Sequence, residues 1–129
     1  MLIPFIFRPY HEHSGSFFWW GTERCYAEEY AALWRYTVNF LREKGLHNIL
    51  YAYNTDKVYS AEEYLSGYPG DEYIDMLSID WYGQGEEFNK NIDKALEFTT
   101  QIAEQKQKLH ALSECGPILS LIHISEPTR

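Results

Sequence analysis

Two glutamates stand where chemistry could be done. Glu12 lies in Arg8-Pro9-Tyr10-His11-Glu12-His13-Ser14-Gly15, directly after an apolar run. Glu114 lies in Leu112-Ser113-Glu114-Cys115-Gly116, after a second, shorter run. Glycoside hydrolysis needs two carboxyl groups flanking one bond. In retaining enzymes they lie about 5–5.5 Å apart, one forming a covalent glycosyl intermediate and the other moving the proton. Two strand ends far apart in sequence can supply such a pair. Other polar residues share the setting: His11 beside Glu12, then Asp56, Asp80 and Tyr82. Taken singly, any strand-end glutamate is also an ordinary solvated loop residue.

The elements that would position these residues alternate. Leu2 to Arg8 is apolar and aromatic and reads as a strand, and His11 to Gly21 reads as a loop. From an N-cap at Thr22 to about Lys44, Tyr26, Tyr30, Leu33, Trp34, Val38 and Leu41 keep helical spacing, and Gly45 supplies the stop. A second strand spans Asn48 to Tyr53. A long connection from Asn54 to Asp71 holds one short helical stretch, Ala61 to Leu65, and the turn signal Tyr68-Pro69-Gly70-Asp71. A third strand spans Tyr73 to Ile79. A second long helix runs from Glu87 to about Lys108, with Phe88, Ile92, Ala95, Leu96, Thr99 and Ile102 on one face, and His110 to Ser113 is a fourth short strand.

Strands alternating with helices imply right-handed βαβ units and a parallel sheet, hence an α/β fold. A doubly wound open sheet and a (β/α)8 barrel both fit. No glycine-rich phosphate loop follows the first strand, which weighs against nucleotide-binding versions. In a barrel, polar residues just past strand ends belong to an active site. A whole barrel takes about 250 residues, so 129 residues with four strands are either an incomplete barrel or another fold.

Composition narrows the partners. A net charge of −8, with no cluster of Lys and Arg, disfavours nucleic acid. A neutral polymer is compatible with it. Tyr, Phe and Trp number 11, 7 and 4, an excess that can serve a core or a sugar-binding cleft. No apolar run is long enough to span a membrane. Met1 to Phe7 reads as a strand and not as a signal peptide, lacking a basic start and a cleavage site. Cys25 and Cys115 make no disulfide framework; they read as small buried side chains, with a bridge between them left open.

The segment FRPYHEHSGSFFWWG resembles the acid/base motif of glycoside hydrolase family 26, whose best-known members are β-mannanases. YPGDEYIDMLSIDWYG resembles the family's sixth-strand region and ALSECG its seventh-strand nucleophile motif, so the likeness covers residues 1–118 in order. The resemblance implies a (β/α)8 TIM barrel, of which about strands four to seven are present. It implies retaining hydrolysis of β-mannan, with Glu12 as acid/base and Glu114 as nucleophile. It places His11, Phe17, Trp19, Trp20, Asp80 and Tyr82 at the substrate, Tyr82 also orienting the nucleophile, and gives Arg8 a supporting role. No cofactor and no metal are implied.

Plainer roles stand beside these: His11 capping its loop, Asp80 pairing with Arg8, Trp19 and Trp20 packing beneath the loop. The family usually has Trp where this chain has Phe17. Mixed-linkage β-glucan or β-xylan is therefore an alternative substrate, and a non-catalytic carbohydrate-binding protein or an inactive truncated chain is an alternative of another kind. A polysaccharide-degrading enzyme is expected outside the cell or on its surface. The last segment, 119–129 (LSLIHISEPTR), is similar to a translated sequencing adapter and is expected to be a non-native tail after a partial catalytic barrel at 1–118.

Overall fold

The computed structural model describes residues 3–117. Leu2, at the start of the expected first strand, and the segment 119–129 lie outside them. Strand β1 spans Phe5–Phe7, helix α1 Ala27–Glu43, strand β2 Ile49–Thr55, helix α2 Ala61–Leu65, strand β3 Met76–Gly83, helix α3 Gly85–Lys106 and strand β4 Leu109–Pro117, with a 3-10 turn at Asp71–Tyr73. The four strands form one parallel sheet in the order β1-β2-β3-β4. A doubly wound sheet reverses its strand order at a switch point. Here the order never reverses, so the sheet is half of a (β/α)8 barrel.

The two faces of the sheet follow from the period-two alternation of strand side chains. On β2, Tyr51, Tyr53 and Thr55 face the helices, and on β3 Leu77, Ile79 and Trp81 do the same. All six are buried. Helix α1 sends Tyr30, Trp34 and Val38 into this layer, and α3 sends Ile92, Ala95 and Ile102. Each large apolar side chain buried there contributes about 1.5–3 kcal/mol. The buried phenols also serve backbone carbonyls. Tyr30 donates its hydroxyl to Tyr10 O at 2.9 Å, Tyr53 to Tyr64 O at 2.6 Å and Tyr64 to Ser78 O at 3.1 Å. A buried carbonyl without a donor is costly, so these positions favour Tyr over Phe.

Several expected boundaries shift. Helix α1 starts at Ala27 after an N-cap at Tyr26, whose N–H donates to Glu29 Oε2 at 2.9 Å. Thr22 is not the cap: its N–H donates to His13 O and Gly15 O and its hydroxyl to Ser14 O, so it pins the preceding loop instead. Helix α3 begins at Gly85, not Glu87. Strands β2, β3 and β4 each run two to four residues further than the apolar runs suggested. Asp80, Tyr82 and Glu114 therefore lie within strands, on the face turned away from the helices. Cys25 and Cys115 are both free thiols, Cys25 half-buried and Cys115 exposed, so the bridge left open by the sequence is not made.

Candidate active site

The site is built where the four strands present their inner face. Strand β1 leads directly to Arg8. Its guanidinium donates from Nη1 to Asp80 Oδ2 at 2.7 Å and from Nη2 to Glu114 Oε1, clamping a carboxylate on β3 to one on β4. One carboxylate oxygen from each of Glu12, Asp80 and Glu114 lies within 4.8 Å of the other two. Three carboxylates this close could ligate a divalent cation, but the Arg8 guanidinium already sits between two of them as their counter-charge.

A local irregularity of β4 creates this cluster. Ile79 pairs with Leu112, yet Asp80 pairs with Glu114. Strand β4 thus carries one extra residue, Ser113, at a β-bulge, a device that re-aims side chains. Ser113 and Glu114 both reach the inner face as a result. The Ser113 hydroxyl lies 2.5 Å from Asp80 Oδ1. Glu114 accepts at its other oxygen from the Tyr82 hydroxyl, 3.0 Å from Oε2. Hydrogen bonding and charge from Arg8, helped by Tyr82, hold the Glu114 carboxyl below the ordinary glutamate range. A carboxylate that must stay ionised is favoured by that setting.

Glu12 sits in the opposite environment. It follows β1 on a loop with φ of 54°, in the left-handed region that non-glycine residues rarely adopt. The Asn54 amide holds that conformation, its Oδ1 accepting the Glu12 N–H at 2.7 Å. Burial first, and then the charges of Asp56, Asp80 and Glu114, push the Glu12 carboxyl up to about 7. The two glutamates are thereby pushed apart in proton affinity, Glu12 upward and Glu114 downward, the kind of division that glycosidase carboxylates show.

The loop that carries Glu12 has no regular secondary structure. Tyr10, itself at φ 51°, packs its ring edge-to-face with Trp19, Trp20, Tyr30 and Trp34 at centroid distances of 5.9–6.5 Å. Its hydroxyl lies 2.8 Å from Thr37 Oγ1 on α1. His13 is buried, stacked on Tyr30 at 4.0 Å, with its ring nitrogens 2.9 Å from Asn54 O and Ser66 O. Gly21 is required by a close approach: a Cβ there would lie 2.2 Å from Gly15 O.

The expected site residues do not all meet at one place. Arg8, Glu12, Asp80, Tyr82 and Glu114 come together. Phe17 is 77% exposed and, with Glu12, Asp56, Lys57 and Tyr82, lines an open cleft of about 310 Å³. His11 is half-buried against Phe18 and Trp20 and close enough to Glu114 to act on it electrostatically. Asp80 is fully buried with both oxygens engaged, so its position suits orienting neighbours and not touching a substrate. Trp20 is stacked on Phe18 at 4.4 Å with its indole N–H donated to His11 O, beneath the loop, whereas Trp19 is 64% exposed. Sequence reasoning missed Asn54, Ser113 and the buried His13. The available signal was polar side chains continuing the inward alternation of β2 and β4.

A parallel half-barrel with two glutamates converging at one end of its strands is the architecture of a barrel glycosidase. The chain belongs to glycosyl hydrolase family 26, whose family model matches residues 1–126. A mannan endo-1,4-beta-mannosidase of Bifidobacterium adolescentis is 40% identical over 124 residues, 89% of this chain and 12% of that protein. An Endoglucanase H of Acetivibrio thermocellus is 37% identical over 84 residues, 60% of this chain and 9% of that protein. A family 26 beta-mannanase structure from Bacteroides ovatus superposes with a TM-score of 0.85 at 45% identity, over 90% of this chain and 34% of that one. The chain thus spans about a third of a solved catalytic domain and a smaller share of the curated relatives it matches.

Proposed function

We propose that these residues form part of the catalytic barrel of a retaining endo-β-1,4-mannanase. One observation carries the reading: a carboxylate oxygen of Glu12 lies within 4.8 Å of one of Glu114, with Glu12 raised and Glu114 lowered in proton affinity. Inverting enzymes leave about 6.5–9.5 Å between the two carboxyl groups for a water, and retaining ones do not. In the first step Glu114 attacks the anomeric carbon of a mannosyl residue. The glycosidic bond breaks as the Glu12 proton passes to the leaving oxygen. In the second, Glu12 takes a proton from water, whose oxygen attacks the same carbon and releases Glu114. Tyr82 and Arg8 hold Glu114 for both steps, and Phe17 offers an exposed ring to a sugar face. The names of relatives support mannan as the substrate.

The test is to assay the complete catalytic domain on β-mannan, mixed-linkage β-glucan and β-xylan and to follow the anomer of the first product by NMR. Fastest cleavage of mannan with the β-anomer appearing first is expected. An α-anomer first would refute the retaining mechanism, and preference for another polymer would refute the mannan assignment. Phe17, an exposed phenyl ring where the family usually carries Trp, favours a second reading in which the cleft accepts a mixed-linkage glucan, and the same comparison decides it. Because such polymers cannot enter a cell, the enzyme would work outside it or at its surface.

A further inference from the structure

We propose that Asn54, on β2, is the positioning residue that fixes the acid/base glutamate relative to the nucleophile, a role it can fill only as a primary amide. The inference rests on the glycosidase reading given above.

Asn54 is fully buried at the centre of the site. Its Oδ1 accepts the Glu12 N–H at 2.7 Å. Its Nδ2 faces Ser78 Oγ at 3.1 Å, Asp80 Oδ1 at 2.9 Å and Ser113 Oγ at 2.9 Å. One side chain thus touches the backbone of Glu12, the carboxylate that shares Arg8 with Glu114, and the residue preceding Glu114. The amide can face only one way. Turned over, it would set NH2 against the Glu12 N–H and a carbonyl oxygen against the Asp80 carboxylate.

Two donors and one acceptor, aimed in opposite directions from a short stem, are what this position uses. A hydroxyl is too short to span from β2 to the Glu12 backbone, and a carboxylate would face Asp80 with like charge. The Glu12 N–H bond also offsets the cost of holding Glu12 at φ 54°, a strained conformation for a residue other than glycine. Without that acceptor, the loop is free to relax toward φ below zero, carrying the Glu12 carboxyl away from Asp80 and Glu114 and toward solvent.

The groups facing Glu12 are Asp56 from the β2 end, Asp80 from β3, Glu114 from β4 and Arg8 from the β1 end. Three of the four are acidic, so retreat of Glu12 should lower its proton affinity. The experiment is an Asn54→Ala substitution in the complete catalytic domain, with folding checked by circular dichroism. The Glu12 carboxyl carbon is titrated by 13C NMR, and turnover is compared on mannan and on a dinitrophenyl β-mannoside.

The Glu12 midpoint should fall by about one pH unit. Turnover on mannan should fall about a hundredfold at unchanged KM. The dinitrophenolate burst, which needs no acid, should persist. A folded variant with the parent midpoint, or with equal losses in mannan turnover and in the burst, overturns the proposal. If Asn54→Ala does not fold, Asn54→Ser is read in the same way, its hydroxyl reaching the strand neighbours but not Glu12. Should the parent cleave no mannan, the proposed function fails, while the NMR titration still decides the role of Asn54.

Discussion

Ser113 and Glu114 are neighbours in sequence, yet both present their side chains to the same face of β4. A regular strand would send them to opposite sides. The extra residue between the pairs Ile79–Leu112 and Asp80–Glu114 removes that opposition. Ser113 can therefore bond Asp80 while Glu114 reaches Arg8 and Tyr82. Deleting Ser113 would restore the alternation with Glu114 directly after Leu112, still opposite Asp80 on the inner face, but would take the Ser113 hydroxyl away from Asp80 and Asn54. A marked fall in turnover by the complete domain is the expected result, since Glu114 would keep its face but lose the aim that the bulge gives it, and unchanged turnover would show that the bulge is dispensable.

The opposed environments of the two glutamates set the pH profile. On the proposed mechanism, activity requires Glu12 protonated and Glu114 ionised. As pH rises through about 7, Glu12 loses its proton and the rate falls. As pH drops, Glu114 gains a proton only below the ordinary glutamate range. A bell-shaped kcat/KM curve is expected, with its basic limb near 7 and its acidic limb displaced downward. A basic limb that survives Glu12→Gln would assign that proton to another group. The same variant should lose about a hundredfold or more on mannan and far less on aryl mannosides with good leaving groups.

Replacing Arg8 by Met leaves Asp80 fully buried without its ionic partner. A buried pair broken from one side costs about 3–5 kcal/mol. The lower end applies, since Arg8 is a quarter exposed and Asp80 keeps its bonds to Asn54 and Ser113. Urea unfolding of the complete domain should show that loss. The acidic limb of kcat/KM should move upward at the same time, because Glu114 loses the group that lowers its proton affinity most.

Tyr82→Phe keeps the ring and removes the hydroxyl bond to Glu114 Oε2. Tyr82 is exposed, so the fold should be unaffected. Turnover should fall by roughly tenfold with KM little changed, the signature of one charge-assisted bond lost from the reacting carboxylate. Steady-state kinetics on mannan, paired with an unchanged melting temperature, would check both halves of the statement.

Much of this was legible before the structure. The apolar spacing of Tyr30, Trp34 and Val38 located α1, and the short stretch Ala61–Leu65 was read with its observed bounds. The strand ends were read too early for a physical reason. An apolar run marks a strand only as far as its residues are apolar, but this inner sheet face is polar, and β2, β3 and β4 continue through Asn54, Asp80 and Glu114. Thr22 has the composition of an N-cap but spends its donors on His13, Gly15 and Ser14. Asn54 was invisible as a hub because its partners come from three separate parts of the chain, and local pattern carries no record of that meeting. The bulge at Ser113 was hidden likewise, since it exists only relative to the strand alongside.

Tyr10 gives the loop carrying Glu12 a small aromatic core of its own, four rings set edge-on around one. Such packing does for an irregular segment what a hydrogen-bond ladder does for a strand. On the proposed mechanism, this packing and the Asn54 bond together would order the loop before any sugar arrives, so that no binding energy is diverted into folding it and the acid is held in its working position. Catalysis here would be lock-and-key on the acid side. An arriving chain has to organise its own rings and nothing of the protein that protonates it. The unusual aromatic content is, at this loop, the material of that rigidity.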